Sequence, residues 1–216
     1  MIVLIFGATG SAGASVLKVA LADPGVTEVR VVSRKTPKRT GAKLRVFLHD
    51  DFMNYDKVTP AFDGVDACLW CLGVSSLQVK EETAYRRITY DFALAAAAVI
   101  KARSPKATFH FISGKSTDAN GSAMWARVKG AAERDLMALV DANCYRPGAI
   151  DGEPSDAQAG TWYEPLRILF KVFSPFRSLY ITGDDLGRAM LQAARTGLRR
   201  TILENPQMRD LADSAK

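Results

Sequence analysis

The chain has few of the side chains that most readily carry chemistry: of 216 residues, three are cysteine and two are histidine. Nowhere do His, Cys, Asp and Glu recur at metal-ligand spacing, so no metal is expected. Cys68 and Cys71 do form a C-x-x-C, but Asp66-Ala67-Cys68-Leu69-Trp70-Cys71-Leu72 reads as a buried strand. Side chains three apart on a strand point to opposite faces. Together with Cys144 they are expected as core thiols in a reducing compartment, not as a redox or zinc pair. His49 and His110 have no acid or nucleophile partner visible in the sequence, and both are expected to be structural.

Long apolar runs are also missing. The longest, Phe92 to Ile100, lies between Asp91 and Lys101, far short of the about 20 residues that span a bilayer. The opening run Ile2-Val3-Leu4-Ile5-Phe6 has no basic stretch before it and no small-residue cleavage site after it. It is read as a first strand, not a signal peptide. A cytoplasmic protein with no membrane contact is expected. One stretch lacks acid altogether: Val29 to His49 carries Arg30, Arg34, Lys35, Lys38, Arg39, Lys43 and Arg45 without an Asp or Glu. The formal net charge of +6 is thus concentrated in one loop. A local basic loop suits a local anion. Nucleic acid is not expected as a partner, because no nucleic-acid module is recognisable.

What is present begins at the first strand exit. Gly7-Ala8-Thr9-Gly10-Ser11-Ala12-Gly13 follows Phe6 directly, and a helical pattern starts at once with Val16, Leu17, Ala20 and Leu21. Strand, glycine turn and helix in that order form a site for a dinucleotide pyrophosphate. Gly7 allows the tight turn, Gly10 lets the backbone approach the phosphates, and Gly13 lets the helix pack on the sheet. The helix N-terminus, with Thr9, Ser11 and Ala12 beside it, presents free N–H groups to the anion.

Apolar strand-like runs alternate with helical patterns. Strands are predicted near 2–6, 28–33, 44–48, 67–72, 107–112 and 143–146, and helices near 12–22, 55–62, 81–102 and 121–141. Repeated βαβ units with continuous apolar strands predict an α/β fold. Its doubly wound parallel sheet, a Rossmann fold, has helices on both faces and strand order 3-2-1-4-5-6. Beyond Pro147 the rhythm changes. Residues 148–160, with Gly148, Gly152, Pro154 and Gly160, read as a loop. An amphipathic segment follows from Tyr163 to Phe173, before Pro175. A helix is predicted from Asp184 to Arg195 and a short strand near 201–203. The whole chain, 1–216, is expected as one dinucleotide-binding domain, with residues from about 148 onward forming a small substrate region.

Ligands of such sheets bind beyond the carboxyl ends of the strands. The second strand exits at Ser33-Arg34-Lys35, where a site for NAD would offer a carboxylate to the ribose. A hydroxyl and two cations there favour NADP(H) over NAD(H), since a guanidinium can hold a 2′-phosphate. The other exits are Asp51-Phe52, where a carboxylate can accept from the adenine amino group, Leu72-Gly73, Ser113-Gly114 and Arg146-Pro147-Gly148.

With Gly7 to Gly13, Asp51-Phe52, Cys71-Leu72-Gly73, Ser113 and Arg146-Pro147-Gly148 in this order, the chain resembles the short-chain dehydrogenase/reductase superfamily. Through Val128-Lys129-Gly130, Arg146-Pro147-Gly148 and Leu203-Glu204-Asn205, it is similar to the atypical branch, close to the Tat-interacting-protein oxidoreductases. The resemblance implies a bound NADP(H), held in part by Leu72, Gly73, Lys129, Pro147 and Gly148. It also implies a homodimer built through the helices near 81–102 and 121–141. The superfamily's catalytic set is a Ser followed by Tyr-x-x-x-Lys. Ser113 and Lys129 match two members, but the residue four before Lys129 is Trp125. An indole donates a hydrogen bond and does not exchange a proton as a phenol does. Tyr85 and Tyr90 are substitutes only if the helix brings them to the cleft. Two functions stay open: an oxidoreductase acting on an unidentified small carbonyl or alcohol, and a non-catalytic NADP(H)-binding sensor or regulator.

Overall fold

The computed structural model describes residues 1–153 and 178–215. Its centre is a seven-stranded parallel sheet. In chain order its strands are β1 (Ile2–Phe6), β2 (Glu28–Ser33), β3 (Leu44–Leu48), β4 (Ala67–Trp70), β5 (Thr108–Ile112), β6 (Asp141–Arg146) and β9 (Ile202–Glu204). In space they run β3-β2-β1-β4-β5-β6-β9. This is the doubly wound order expected, extended by β9 on β6, where Cys144 pairs with Ile202. Between them, β7 (Ala149–Asp151) and β8 (Tyr180–Thr182) form a separate two-stranded parallel ribbon.

Alternation along each strand divides the core in two. Leu4, Phe6, Cys68 and Trp70 face one side, where they meet α3 (Phe92–Arg103) and α4 (Met124–Leu139). Val3, Ile5, Ala67 and Leu69 face the other, against α1 (Ser11–Ala22), α5 (Gly183–Arg195) and α6 (Asn205–Asp213). A parallel sheet must be covered on both faces, and its strands are apolar throughout for that reason. The same alternation separates the cysteines. Cys68 lies in the first core and Cys71 packs against the second, and burial pushes both thiols up, Cys71 to about 12.

Several elements differ from expectation. Residues 55–62, expected as an α-helix, form a 3₁₀ helix over Asp56–Phe62. Pro60 lies inside it and Val58 leaves helical geometry at φ −126°; a proline there has no N–H for an α-helical bond. The long helix expected over 81–102 runs from Glu82 to Arg103 with helical backbone at both junctions, but it carries a π turn over Arg87–Asp91 between α2 (Glu82–Arg86) and α3. The fourth strand stops at Trp70, short of 72. Residues 149–151, expected within a loop, are β7, and α6 was not anticipated. The segment Tyr163–Phe173 lies outside the described residues.

Both histidines are built into the frame. His49 Nε2 lies 2.6 Å from the Asp51 carbonyl and 2.9 Å from that of Asn54, so it carries the proton and donates to both. His110 is wholly buried on β5, with Nδ1 2.8 Å from the Tyr145 hydroxyl and Nε2 2.8 Å from Thr108 Oγ1. Burial pulls its pKa down to about 3. The folded state therefore keeps His110 neutral, while the unfolded chain takes up a proton below about pH 6.5. The stability this neutral form contributes is complete above about pH 6.5 and is lost as pH falls toward 3, by up to about 1.4 kcal/mol per pH unit. Chemical denaturation at a series of pH values should show this slope in the native protein. It should be absent in His110→Gln, and an unchanged slope there would assign the acid sensitivity to other groups.

Candidate dinucleotide-binding site

The sheet reverses its order between β1 and β4, the position where doubly wound folds bind ligands. A cleft of about 680 Å³ opens there. Gly7, Ala8, Thr9 and Gly10 line it at the exit of β1, Val32 to Arg39 at the exit of β2, and Cys71, Leu72 and Gly73 at the exit of β4. Ala14, Leu17, Phe52 and Glu153 complete its wall.

The three glycines of the turn have three different physical tasks. Gly7 adopts φ +74°, and a Cβ on it would lie 2.6 Å from the Cys71 carbonyl carbon. Gly13 presses its Cα against the turn, where a Cβ would meet the Gly7 carbonyl oxygen at 2.1 Å. At Gly10 the nearest atom to a Cβ is the Gly7 oxygen at 3.4 Å, and at Gly73 nothing lies within 4 Å. Gly10 and Gly73 therefore keep open the space of the cleft, while Gly7 and Gly13 shape the backbone around it. Gly10 is also the N-cap of α1 and supplies no side-chain cap, and the first turn carries no acid. A helix N-terminus with no side-chain cap and no acid in its own first turn suits an anion. The groups present fit a dinucleotide.

Ser33, Arg34 and Lys35 line the cleft as expected, and the loop adds Lys38 and Arg39. The Ser33 hydroxyl, however, donates to the Lys35 carbonyl at 2.7 Å, which holds the loop in shape. Phe52 lines the cleft and Asp51 does not: the Asp51 carboxylate accepts from the Met53 N–H at 3.1 Å. Ser11, Ala12 and Gly13 start α1 behind the lining residues, and Gly152 packs directly on Ser11.

The reductase-like residues gather at the exit of β5, the strand beside β4. A Cβ on Gly114 would lie 3.7 Å from both Lys129 Nζ and Trp125 Cζ3. Trp125 and Lys129 are one turn apart in α4 and share a face. Lys129 Nζ donates to the Ser113 carbonyl at 2.7 Å. Desolvation pulls the Lys129 pKa down to about 8, against the pull of Glu133. The Ser113 hydroxyl lies 3.0 Å from Thr117 Oγ1, which donates its own hydrogen to the Gly114 carbonyl at 2.7 Å. Ser113 is therefore the donor to Thr117, with a hydrogen it can re-aim. Tyr85 is buried among the helices, and Tyr90 donates to Asp135 at 2.6 Å with the Arg86 guanidinium over its ring. Neither tyrosine lines the cleft; Ser113, Trp125 and Lys129 also lie outside its wall, grouped at the exit of the neighbouring strand.

At the exit of β6, Pro147 accepts from the Lys115 N–H at 2.8 Å, and Gly148 donates to Asn205 Oδ1 at 3.1 Å. A Cβ on Gly148 would lie 2.2 Å from the Leu179 oxygen. This corner ties the ribbon of β7 and β8 to the main sheet, and neither residue lines the cleft. Arg146 grips Glu133 with two hydrogen bonds of 3.0 and 2.6 Å.

Residues 7–139 match the model of the NAD(P)H-binding family. Among curated proteins, the chain is 26% identical over 164 residues to the protein HTATIP2 of Rattus norvegicus, across 74% of this chain and 67% of that one. It is 22% identical over 217 residues to the mitochondrial protein FMP52 of Candida albicans, across 92% and 90% of the two chains. Among solved structures, an oxidoreductase of the short-chain dehydrogenase/reductase family from Burkholderia thailandensis superposes with TM-score 0.71 at 18% identity, covering 99% of this chain and 96% of that one. The Bordetella bronchiseptica enzyme WbmF in complex with NAD⁺ superposes with TM-score 0.70 at 13% identity, covering 99% and 77%.

Proposed function

Because the chain belongs to the NAD(P)H-binding family, as an atypical short-chain dehydrogenase/reductase close to HTATIP2, we propose that it binds NADP(H) in preference to NAD(H). The observation that carries this reading is the β2 exit. There the cleft wall offers Arg34, Lys35, Lys38 and Arg39, and the β2 exit itself carries no carboxylate; Glu153, which reaches the wall from beyond β7, is paired with Arg39. The pyrophosphate would lie on the Gly7–Gly10 turn and the start of α1. The bound nicotinamide supplies or accepts a hydride.

Toward a small carbonyl or alcohol, Ser113 can turn its hydrogen from Thr117 to a substrate oxygen. In this reading Lys129, one turn from Trp125, would hold the nicotinamide ribose. These two groups support the oxidoreductase reading. Trp125 supports a second one, a cofactor-binding sensor or regulator, because it removes the usual proton donor. The two readings share the cofactor and differ in turnover. A homodimer through α3 and α4 and a cytoplasmic location belong to the same proposal. Sedimentation tests the first. Cell fractionation tests the second against the mitochondrial location in the Candida relative's name. No helix among the described residues is long and apolar enough to cross a membrane.

The test of the cofactor reading is Arg34→Glu. It removes a charge-assisted donor and adds a repelling carboxylate, so NADPH affinity should fall by about 1.5–3 kcal/mol or more. NADH affinity should fall much less. Equal calorimetric affinities for the two cofactors in the native protein would end the proposal.

A further inference from the structure

Among the described residues that line the cleft there is one carboxylate, Glu153, two residues beyond β7. It faces Arg39, whose Nη2 donates to Glu153 Oε1 at 2.5 Å. Lys18 Nζ lies 3.5 Å from the same oxygen and is anchored on Asp184 at 2.6 Å. The backbone of Glu153 is also fixed: its N–H donates to Ser15 Oγ at 3.0 Å, and Gly152 packs on Ser11. The carboxylate is thus held beside the start of α1 and against the basic loop. Arg34 and Lys35, by contrast, form no ion pair among the described residues.

We propose that Glu153 is a specificity-determining residue, the internal anion that a cofactor 2′-phosphate must displace from Arg39, and that it restrains the preference of the cleft for NADP(H) over NAD(H). The inference rests on the NADP(H) reading above. A guanidinium bound to a carboxylate has fewer hydrogens left for a phosphate. The carboxylate itself repels a phosphate dianion brought to the same place. NAD(H) carries a 2′-hydroxyl there and leaves the Arg39–Glu153 pair intact. When Arg39 turns to a phosphate, Glu153 keeps a partner in Lys18, so the exchange strands no unpaired charge. Sequence gives no hint of this contact, because the partners are 114 residues apart.

The experiment is calorimetric titration of NADPH and NADH into the native protein, Glu153→Gln, Arg39→Ala and the double variant. In Glu153→Gln, NADPH binding should tighten about five- to tenfold, and the ratio of NADH to NADPH dissociation constants should rise by a similar factor. With Arg39 already removed, the Glu153 substitution should lose most of that effect, which is the signature of a coupled pair. An NADPH affinity that is unchanged or weaker in Glu153→Gln, in a protein where Arg34→Glu still weakens NADPH, would overturn this inference and leave the cofactor reading standing. So would an equal gain with and without Arg39. A native protein that binds NADPH and NADH equally would overturn both.

Discussion

Gly10→Val should abolish nucleotide binding in a protein that keeps its fold, whereas Gly13→Val should destabilise the fold itself. The two glycines are three residues apart in one motif, and the structure separates their tasks. Gly10 sits at φ −87° and ψ 168°, an extended conformation that a β-branched residue adopts readily. The first carbon of a side chain there would meet only the Gly7 oxygen at 3.4 Å. The two methyl groups of valine would project into the cleft, where a pyrophosphate has to approach the backbone. Loss of at least about 100-fold in NADPH affinity is expected, ~2.7 kcal/mol. The thermal midpoint should stay near the native one. At Gly13 a Cβ would lie 2.1 Å from the Gly7 carbonyl oxygen and 2.6 Å from its carbon. Backbone atoms cannot step aside as a flexible side chain can. Relief requires α1 to lift from the turn, and with it the packing of Val16, Leu17 and Ala20 against the sheet. Overpacking of this kind costs about 1–3 kcal/mol and sometimes more, so Gly13→Val should melt well below the native protein or fail to accumulate. Calorimetry and thermal melts on both variants decide it. An unchanged NADPH affinity in Gly10→Val would reduce the motif to an ordinary turn.

That division of labour could be read in the sequence because the motif is local. The strand, the turn and the first helix lie within residues 2–22, and Gly10 and Gly13 act on Gly7 within the same turn; only the contact of Gly7 with Cys71 is long-range. The strands Ile2–Phe6, Glu28–Ser33 and Leu44–Leu48 have the boundaries expected from their apolar runs. The helix α1 carries the chain back between the first two, as a parallel pair requires; residues 34–43 make the second crossover to a parallel partner without a helix. Features formed between distant segments were not legible. The ribbon of β7 and β8 pairs Ala149 with Tyr180 and Asp151 with Thr182, across a stretch with no apolar run to announce it. Glu153 meets Arg39 for the same non-local reason. α6 did leave a signal: Pro206 stands in its first turn, and the Gln207 side chain accepts from the Glu204 N–H at 2.8 Å. Glu at the cap with Gln three residues later resembles the pattern that starts a helix. Exit motifs also look alike whether they face a ligand or the protein itself. Gly73 opens onto the cleft, whereas Gly148 is closed against Leu179.

Trp125→Tyr should convert a poor catalyst into a measurable one. The native protein is expected to bind NADPH and to show little or no conventional carbonyl reductase activity. Proton transfer by a positioned acid is worth about 10²–10⁴ in rate, and an indole contributes none of it. The two other residues of the proposed set already stand beside it. The Trp125 ring and Lys129 Nζ both approach Gly114, Lys129 is held on the Ser113 carbonyl, and Ser113 has a hydrogen it can redirect. A phenol placed at 125 would stand one helical turn from an amine whose pKa is pulled down to about 8 by desolvation. In its ammonium form that amine favours the phenolate, so the phenol can cycle its proton near neutral pH. Turnover of a panel of small aldehydes and quinones, followed as NADPH oxidation, should rise in Trp125→Tyr. It should fall again when Ser113→Ala or Lys129→Met is added. The same position gives the control: Trp125→Phe keeps an aromatic ring there and adds no acid, so it should gain nothing. Robust NADPH oxidation by the native protein, unaffected by Trp125→Phe and by Ser113→Ala, would place the proton donor elsewhere and overturn the assignment of this corner as the reaction site.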